Sequence, residues 1–363
     1  MASSDSAPAN PDQSASTIAD QFSARVARIA EHCRAYQGPQ LSRSVRQALL
    51  SAALYAVAIA LMFFLVKAGY WYAALALAPV SGLLLVKLFT IQHDCGHGSY
   101  FKARQANNII GWLISILTFT PYGFWRDSHN RHHAGSGNLD RRGLGAVDML
   151  TVEEFKRLSP KQRFLYRFYR HPLTLLVFGP PFYFILMQRL PLNKTLPFME
   201  TYTSMKLSQI WKSVALLDLA IIVFYGALAL WLGFGAVALV ILPSVAVASW
   251  VGAWLFYVQH QYENAYWAKS KDWNYEEAAL LGSSHYDLPK PIQWVTGNIG
   301  LHHIHHLCSL IPNYRLQECY DASEDLKAWP KMSFLDSLKT TRLALWDEAR
   351  QRMISFRMAR RAA

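Results

Sequence analysis

Four stretches of about twenty mostly apolar residues, 48–66, 70–89, 214–234 and 236–258, set the container into which the rest of the chain must fit. Each has the length a helix needs to cross the hydrocarbon core of a bilayer, where a backbone has to satisfy its own hydrogen bonds. The connections "KAGY" and "GFGA" leave room only for tight reversals, so the four segments pair into two hairpins. Both ends of each hairpin then return to one side of the membrane. Composition agrees: 17% of residues are charged, against about 25% in soluble domains. Pro79 and Pro243 fall inside spans without excluding them, because neighbouring groups in a membrane bundle satisfy the freed carbonyls. Buried helices of a soluble core are the competing reading.

Charge assigns the sides. Sixteen Lys and Arg lie between His93 and Lys212, whereas the two hairpin turns offer only Lys67. By the positive-inside tendency the long loop is cytoplasmic, and Arg25, Arg28, Arg34, Arg43 and Arg46 put the N-terminal segment there too. Two further apolar stretches, 109–125 and 173–187, are read as re-entrant or interfacial. The first is short and rich in aromatic rings, and the second is broken by Gly179, Pro180 and Pro181. The expected fold is an all-α integral membrane protein: two helical hairpins, interfacial helices and a cytoplasmic histidine-rich cap. Residues 1–40 are expected as a polar, disordered tail without a signal peptide, 41–340 as the membrane domain and 341–363 as a basic C-terminal tail.

Most of the thirteen histidines fall into three clusters: "HDCGH" at 93–97, "HNRHH" at 129–133 and "HHIHH" at 302–306. His93 and His97 are four residues apart. His129, His132, His133 and His302, His305, His306 repeat one pattern, H-x-x-H-H. Positions i, i+3 and i+4 share a helix face, which is chelate geometry. With the assigned topology all three clusters reach the cytoplasmic face, so imidazoles distant in sequence can converge. Imidazole alone does not choose among zinc, copper, iron and nickel. The number of histidines, however, exceeds the four ligands of a tetrahedral zinc site and would serve two metals with open positions. Two irons can activate dioxygen, and at the ends of membrane helices the acyl chain of a lipid is the available substrate. His303, next to His302, points about 100° away on a helix and is expected to hydrogen-bond rather than ligate. Asp94 and Asp127 adjoin the clusters as candidate acceptors for imidazole N–H groups. His285 is read as structural.

These three clusters, in this order, resemble the integral-membrane fatty acid desaturases. The likeness extends over roughly 90–320 and is tightest in "YVQHQYENAYW" at 257–267 and "GNIGLHHIHHLCSLIPNYRL" at 297–316, which look like bacterial acyl-lipid desaturases of the delta-12 or omega-6 type. The resemblance implies iron ligation by His93, His97, His129, His132, His133, His302, His305 and His306, with His260 of "VQHQ" as an additional ligand. It implies two iron ions (Fe2+/Fe3+), dioxygen as co-substrate, and removal of one hydrogen from each of two adjacent methylenes to leave a cis double bond. Trp112, Phe119, Tyr122, Trp125, Trp254 and Phe256 are the candidate lining of an acyl tunnel. It also implies a bacterial inner-membrane protein with both termini and the active site cytoplasmic. A fatty acyl hydroxylase or a carotenoid ketolase or hydroxylase would use the same centre and stays open, and a histidine-rich metal transporter is the distant alternative.

The sequence holds no haem-attachment C-x-x-C-H, no H-P-G-G of a fused cytochrome b5 domain and no cysteine run for an iron–sulfur cluster. Electrons must come from a separate carrier, an acidic ferredoxin before a cytochrome b5. The basic loop containing Arg141, Arg142, Lys156, Arg157, Lys161, Arg163, Arg167 and Arg170, within a net charge of +12, is the expected docking face. The cysteines, Cys33, Cys95, Cys308 and Cys319, suit a reducing compartment.

Overall fold

The computed structural model describes residues 11–143, 147–190 and 205–361; the first ten residues of the expected N-terminal tail and the last two of the C-terminal one lie outside them. Helix α1 (Pro11–Arg34) precedes α2 (Leu41–Lys67). Leu49, Leu50, Val57, Leu61 and Phe64 of α2 face outward, as they do on a helix whose solvent is lipid. The chain reverses at Gly69, where φ is 88° and the left-handed backbone favours glycine.

The expected span at 70–89 is not one rod. Helix α3 (Trp71–Ala76) stops at Leu77 and α4 (Ala78–His97) restarts after it. Pro79, in the first turn of α4, has no N–H to donate to the turn before it and disfavours helical backbone in its predecessor. Beyond that break α4 runs past Phe89 to His97, so the first histidine pair rides on a rigid element. Helix α5 (Arg104–Thr118) packs along α4 and ends at Phe119, whose φ is 58°; α6 (Tyr122–Gly135) follows Pro121. The stretch 109–125 is therefore bent, and the 15-residue α5 exposes Ile109, Trp112 and Leu113.

The basic segment forms α7 (Val152–Arg157) and α8 (Pro160–Tyr169), each opened by a reciprocal cap, Thr151 with Glu154 and Ser159 with Gln162. The expected break at Gly179–Pro180–Pro181 is instead a change of pitch. A π-type turn, Leu173–Phe178, runs directly into α9 (Gly179–Ile185). Glycine is needed there, since a Cβ at Gly179 would lie 2.5 Å from the Thr174 carbonyl oxygen. The prolines sit in the first turn of α9, directly after the change of pitch.

Helices α10 (Leu207–Leu232) and α11 (Phe234–His260) make the second hairpin. Together with α2 they are the three helices, among the described residues, long and apolar enough to cross a membrane. Contact between α4 and α11 sets the position of the site. A Cβ on Gly82 would come within 2.6 Å of Val247, and the Ser81 and Ser244 hydroxyls are 2.6 Å apart. Small residues and a buried hydroxyl pair let the two backbones approach as membrane helices do.

The cap consists of α12 (Tyr275–Leu281), α13 (Lys290–Val295), α14 (His302–Leu307), α15 (Asn313–Asp321), α16 (Glu324–Lys327), α17 (Phe334–Thr340) and α18 (Phe356–Arg361). Helix α1 belongs to it. Val26, Ile29, Ala30 and Cys33 follow one helical face and are buried against Ile304, Leu307, Ile311, Leu316 and Cys319. Residues 11–34 of the expected tail are thus a helix, packed along one face from Val26 to Cys33. Short strands qualify the all-α expectation: β1 (Leu150–Thr151), β2 (His285–Tyr286), β3 (Lys331–Met332), β4 (Leu345–Asp347) and β5 (Arg352–Ile354). β2 and β3 pair in parallel, and β4 lies between β1 and β5. Trp346, Met353 and Ile354 are buried there, so the segment after 341 is folded onto the basic loop rather than being a tail.

Candidate metal centre

Four helices bring nine histidines together. His93 and His97 come from α4, His129, His132 and His133 from α6, His260 from the last residue of α11, and His302, His305 and His306 from α14. Their ring nitrogens form two groups able to hold a metal ion: His93, His97, His129, His133 and His305 in one, His132, His260, His302 and His306 in the other, with the atoms of each within 4.8 Å of one another. The groups adjoin, for His133 and His306 stack across them at 4.0 Å between ring centroids. The H-x-x-H-H pattern explains the division. His132 and His133 are neighbours in sequence, point to different sides of α6, and so supply one ring to each group; His305 and His306 do the same from α14.

The nitrogens face one another with no acid between them. His132 and His302 Nε2 each lie 3.0 Å from His260 Nε2, and His129 and His305 Nε2 lie 3.1 and 3.2 Å from His133 Nε2. Neutral imidazole has one donor and one acceptor nitrogen, so such convergence cannot pair every lone pair within the protein. Buried Nε2 atoms of His97 and His306, one in each group, have no hydrogen-bond partner among the described residues. Buried orphans of this kind are costly unless a cation takes their lone pairs. Burial, reinforced by charge on neighbouring imidazoles, pushes His129, His132, His133, His302, His305 and His306 well below their ordinary pKa. They are therefore neutral, the form that ligates.

The rings are aimed by few partners. His93 Nδ1 lies 3.2 Å from the Asp94 carboxylate, whose other oxygen accepts from the Asn313 backbone N–H and side-chain amide at 2.7 and 2.8 Å. His260 Nδ1 lies 3.0 Å from the Gly282 carbonyl. Sequence reasoning found Asp94 but missed Asn313 and Gly282, because a backbone carbonyl and an amide distant in sequence give no local signal. Asp127 accepts from Arg131 at 2.7 Å, an i,i+4 pair along α6, and is turned away from the role expected for it. His303 lies outside both groups, stacked between His285 and Trp329.

Of the six aromatic candidates, Trp125 and Phe256 reach the histidines. Trp125 stacks on His129 at 4.8 Å, and Phe256 lies 5.1 Å from His132. The glycine of "HDCGH" makes space for this, since a Cβ on Gly96 would sit 2.8 Å from the Trp125 ring. The others are engaged elsewhere: Tyr122 donates to the Asn107 carbonyl, Trp254 donates to the Tyr286 hydroxyl, Phe119 packs on Tyr225, and Trp112 is on the outer face of α5.

With this geometry in place, comparison with known proteins gives the class. The fatty acid desaturase family model matches residues 69–334. A fatty acid desaturase of Bacillus subtilis is 40% identical over 283 residues, covering 78% of this chain and 77% of that protein. An sn-1 acyl-lipid omega-3 desaturase (ferredoxin) of Synechocystis sp. is 30% identical, covering 78% and 76%, and an sn-1 oleoyl-lipid 12-desaturase from the same organism is 26% identical, covering 68% and 67%. The chain belongs to the fatty acid desaturase family and is an oxidoreductase.

Removing the amide of Asn313 tests how the Asp94 carboxylate is held. In chelator-treated protein, Asn313→Ala is expected to lower stability by about 1–3 kcal/mol, the cost of a buried acceptor losing a donor. Thermal unfolding in detergent reads this without involving metal, and an unchanged melting temperature would show that Asp94 does not need the amide.

Proposed function

We propose that each histidine group holds one iron ion and that the pair serves dioxygen-dependent insertion of a cis double bond into the acyl chain of a membrane lipid. The observation that carries this reading is the division of nine imidazoles into two adjoining groups, each with an orphaned Nε2. Zinc would satisfy such donors, but oxidation of a methylene with dioxygen needs a metal that changes oxidation state. Bound iron supplies the power to oxidise an unactivated methylene with dioxygen, which no side-chain acid or base has.

The protein's share is position. Trp125 and Phe256 give each group an apolar wall against which methylenes can lie and from which water is excluded. Holding reactants in register can contribute about 7–11 kcal/mol. Asp94 and the Gly282 carbonyl fix the tautomer and tilt of His93 and His260. Acyl-lipid substrates in the names of two relatives support a lipid rather than a soluble thioester. Purified protein is expected to carry about two irons per chain. His132→Ala and His305→Ala should each lose iron and desaturation, while His303→Ala should keep iron. Elemental analysis beside lipid mass spectrometry of an expressing host decides; full activity with zinc alone sinks the iron assignment, and new hydroxyls in place of double bonds redirect the reaction.

The reading places the N-terminus, the C-terminus and the metal centre on the cytoplasmic side of a bacterial inner membrane, with α3 and α4 together completing a fourth crossing. All four native cysteines are buried, so added ones report cleanly. Cysteines replacing Lys102, Lys161 and Lys327 are expected to react from the cytoplasmic side, and one replacing Gly235 from the other. Labelling of position 161 from outside would split the first two histidine clusters across the bilayer and end the proposal.

Electrons come from a separate acidic carrier, a ferredoxin, as the name of one relative states for that protein. The folded basic segment narrows where it docks. Arg142 is held by Glu154 and two backbone carbonyls, and Arg170 is buried against the Asp148 and Leu343 carbonyls and Gln261. Arg141, Arg157, Lys161 and Arg167 remain outward. Reversing Arg141 and Lys161 is expected to slow ferredoxin-driven turnover several-fold at low salt, with the difference fading at physiological ionic strength. Turnover in neutral detergent that responds neither to salt nor to the reversals would refute steering at this face.

A further inference from the structure

Away from the nine clustered histidines, a cavity of about 840 Å³ opens where α2 begins and reaches back to Leu301 at the start of α14. Its wall holds Lys87, which is 3% exposed. The Lys87 ammonium donates to the Trp294 carbonyl and lies 5.0 Å from the centre of that residue's ring, and no carboxylate among the described residues is within ion-pair distance of it. An ammonium has three donors, so a buried one with a single acceptor needs an anion or water to complete it. Arg46 and Lys290 line the same space, are exposed and have no ion pair among the described residues, and Lys331 lies at its edge over the Tyr320 ring. Asp287 and Asp321 offset part of this charge and leave the lining cationic.

The rim is apolar on the side where a membrane-length helix starts. Leu50 on α2 and Trp294 on α13 are outward-facing large side chains within the lining, and Leu49 and Ile292 on the same two helices are outward-facing too. Cations inside and apolar side chains at the mouth match a ligand with an anionic head and hydrocarbon tails, and the volume is that of an ordinary small-molecule site. We infer that this cavity binds the phosphate of an anionic glycerophospholipid, with Lys87, Arg46 and Lys290 around the headgroup and the acyl chains leaving along α2 and α13. The inference stands apart from the metal assignment, since none of these residues belongs to either histidine group.

The test is retention of lipid by the full chain. Protein purified in neutral detergent and offered phosphatidylglycerol or phosphatidylcholine is weighed by native mass spectrometry. Wild type should keep one phosphatidylglycerol per chain and little phosphatidylcholine. Lys87→Met, which leaves an apolar side chain of similar length, and the surface double variant Arg46→Glu with Lys290→Glu should each retain about tenfold less. Lys271→Glu, a reversal of an exposed lysine elsewhere, should retain as much as wild type. Equal retention by wild type and both site variants, or equal retention of the two lipids, overturns the site. Displacement by inorganic phosphate as readily as by short-chain phosphatidylglycerol would assign the cavity to a soluble phosphate and overturn the lipid.

Discussion

Nine imidazoles packed together, eight buried and His97 half-buried, are a demand the rest of the fold must meet. A buried ring is tolerated when neutral and partnered, and here the rings outnumber the protein acceptors that could partner them. Their positions therefore depend on helix packing rather than on hydrogen bonds. Gly82 against Val247 and Ser81 against Ser244 draw α4 to α11, Gly96 admits Trp125 from α6, and α1, α12 and α15 hold α14 from behind. Tight packing of this kind has few soft degrees of freedom, which is what a site without strong internal bonds needs.

What could be read in advance follows from local periodicity. The i, i+4 spacing correctly pairs His93 with His97, His129 with His133 and His302 with His306, whereas His132 and His305, placed by spacing on the same faces, each join the other group. The apolar runs foretell α2, α10 and α11. The failures are tertiary. Pro79 breaks the second span because the partners that could satisfy a freed carbonyl do not carry the helix through it. Asp127 has a nearer cation, Arg131, one helical turn away. Asn313 reaches Asp94 from 219 residues along the chain, and no spacing rule connects them. The face formed by Val26, Ile29, Ala30 and Cys33 was missed, because its polar surroundings made the whole segment read as a disordered tail.

The basic loop shows the same division between surface and structure. By sequence its cations are alike, yet Arg142 and Arg170 are taken up in joining the loop to α11 and the C-terminal strands. Guanidinium suits that task because its donors fork to several acceptors at once. Such residues would register in a charge-removal experiment as lost stability, so only the outward group reports on an encounter with another protein.

Scarcity of carboxylates at the centre raises the question of what makes neutral rings attractive to a cation. The helices answer it. His97 lies in the last turn of α4, His132 and His133 in that of α6, His260 in that of α11 and His305 and His306 in that of α14. Four helix C-termini, each the negative end of a helix dipole, thus converge on one place. A single terminus stabilises a nearby cation by about 0.3–1 kcal/mol, and more where water is partly excluded. The six-residue α14 adds least, whereas α4 and α11 span 20 and 27 residues. Placing ligands at helix ends thus supplies in backbone dipoles part of the negative potential that acidic ligands would otherwise bring. It does so without adding charged side chains beside a site meant for hydrocarbon.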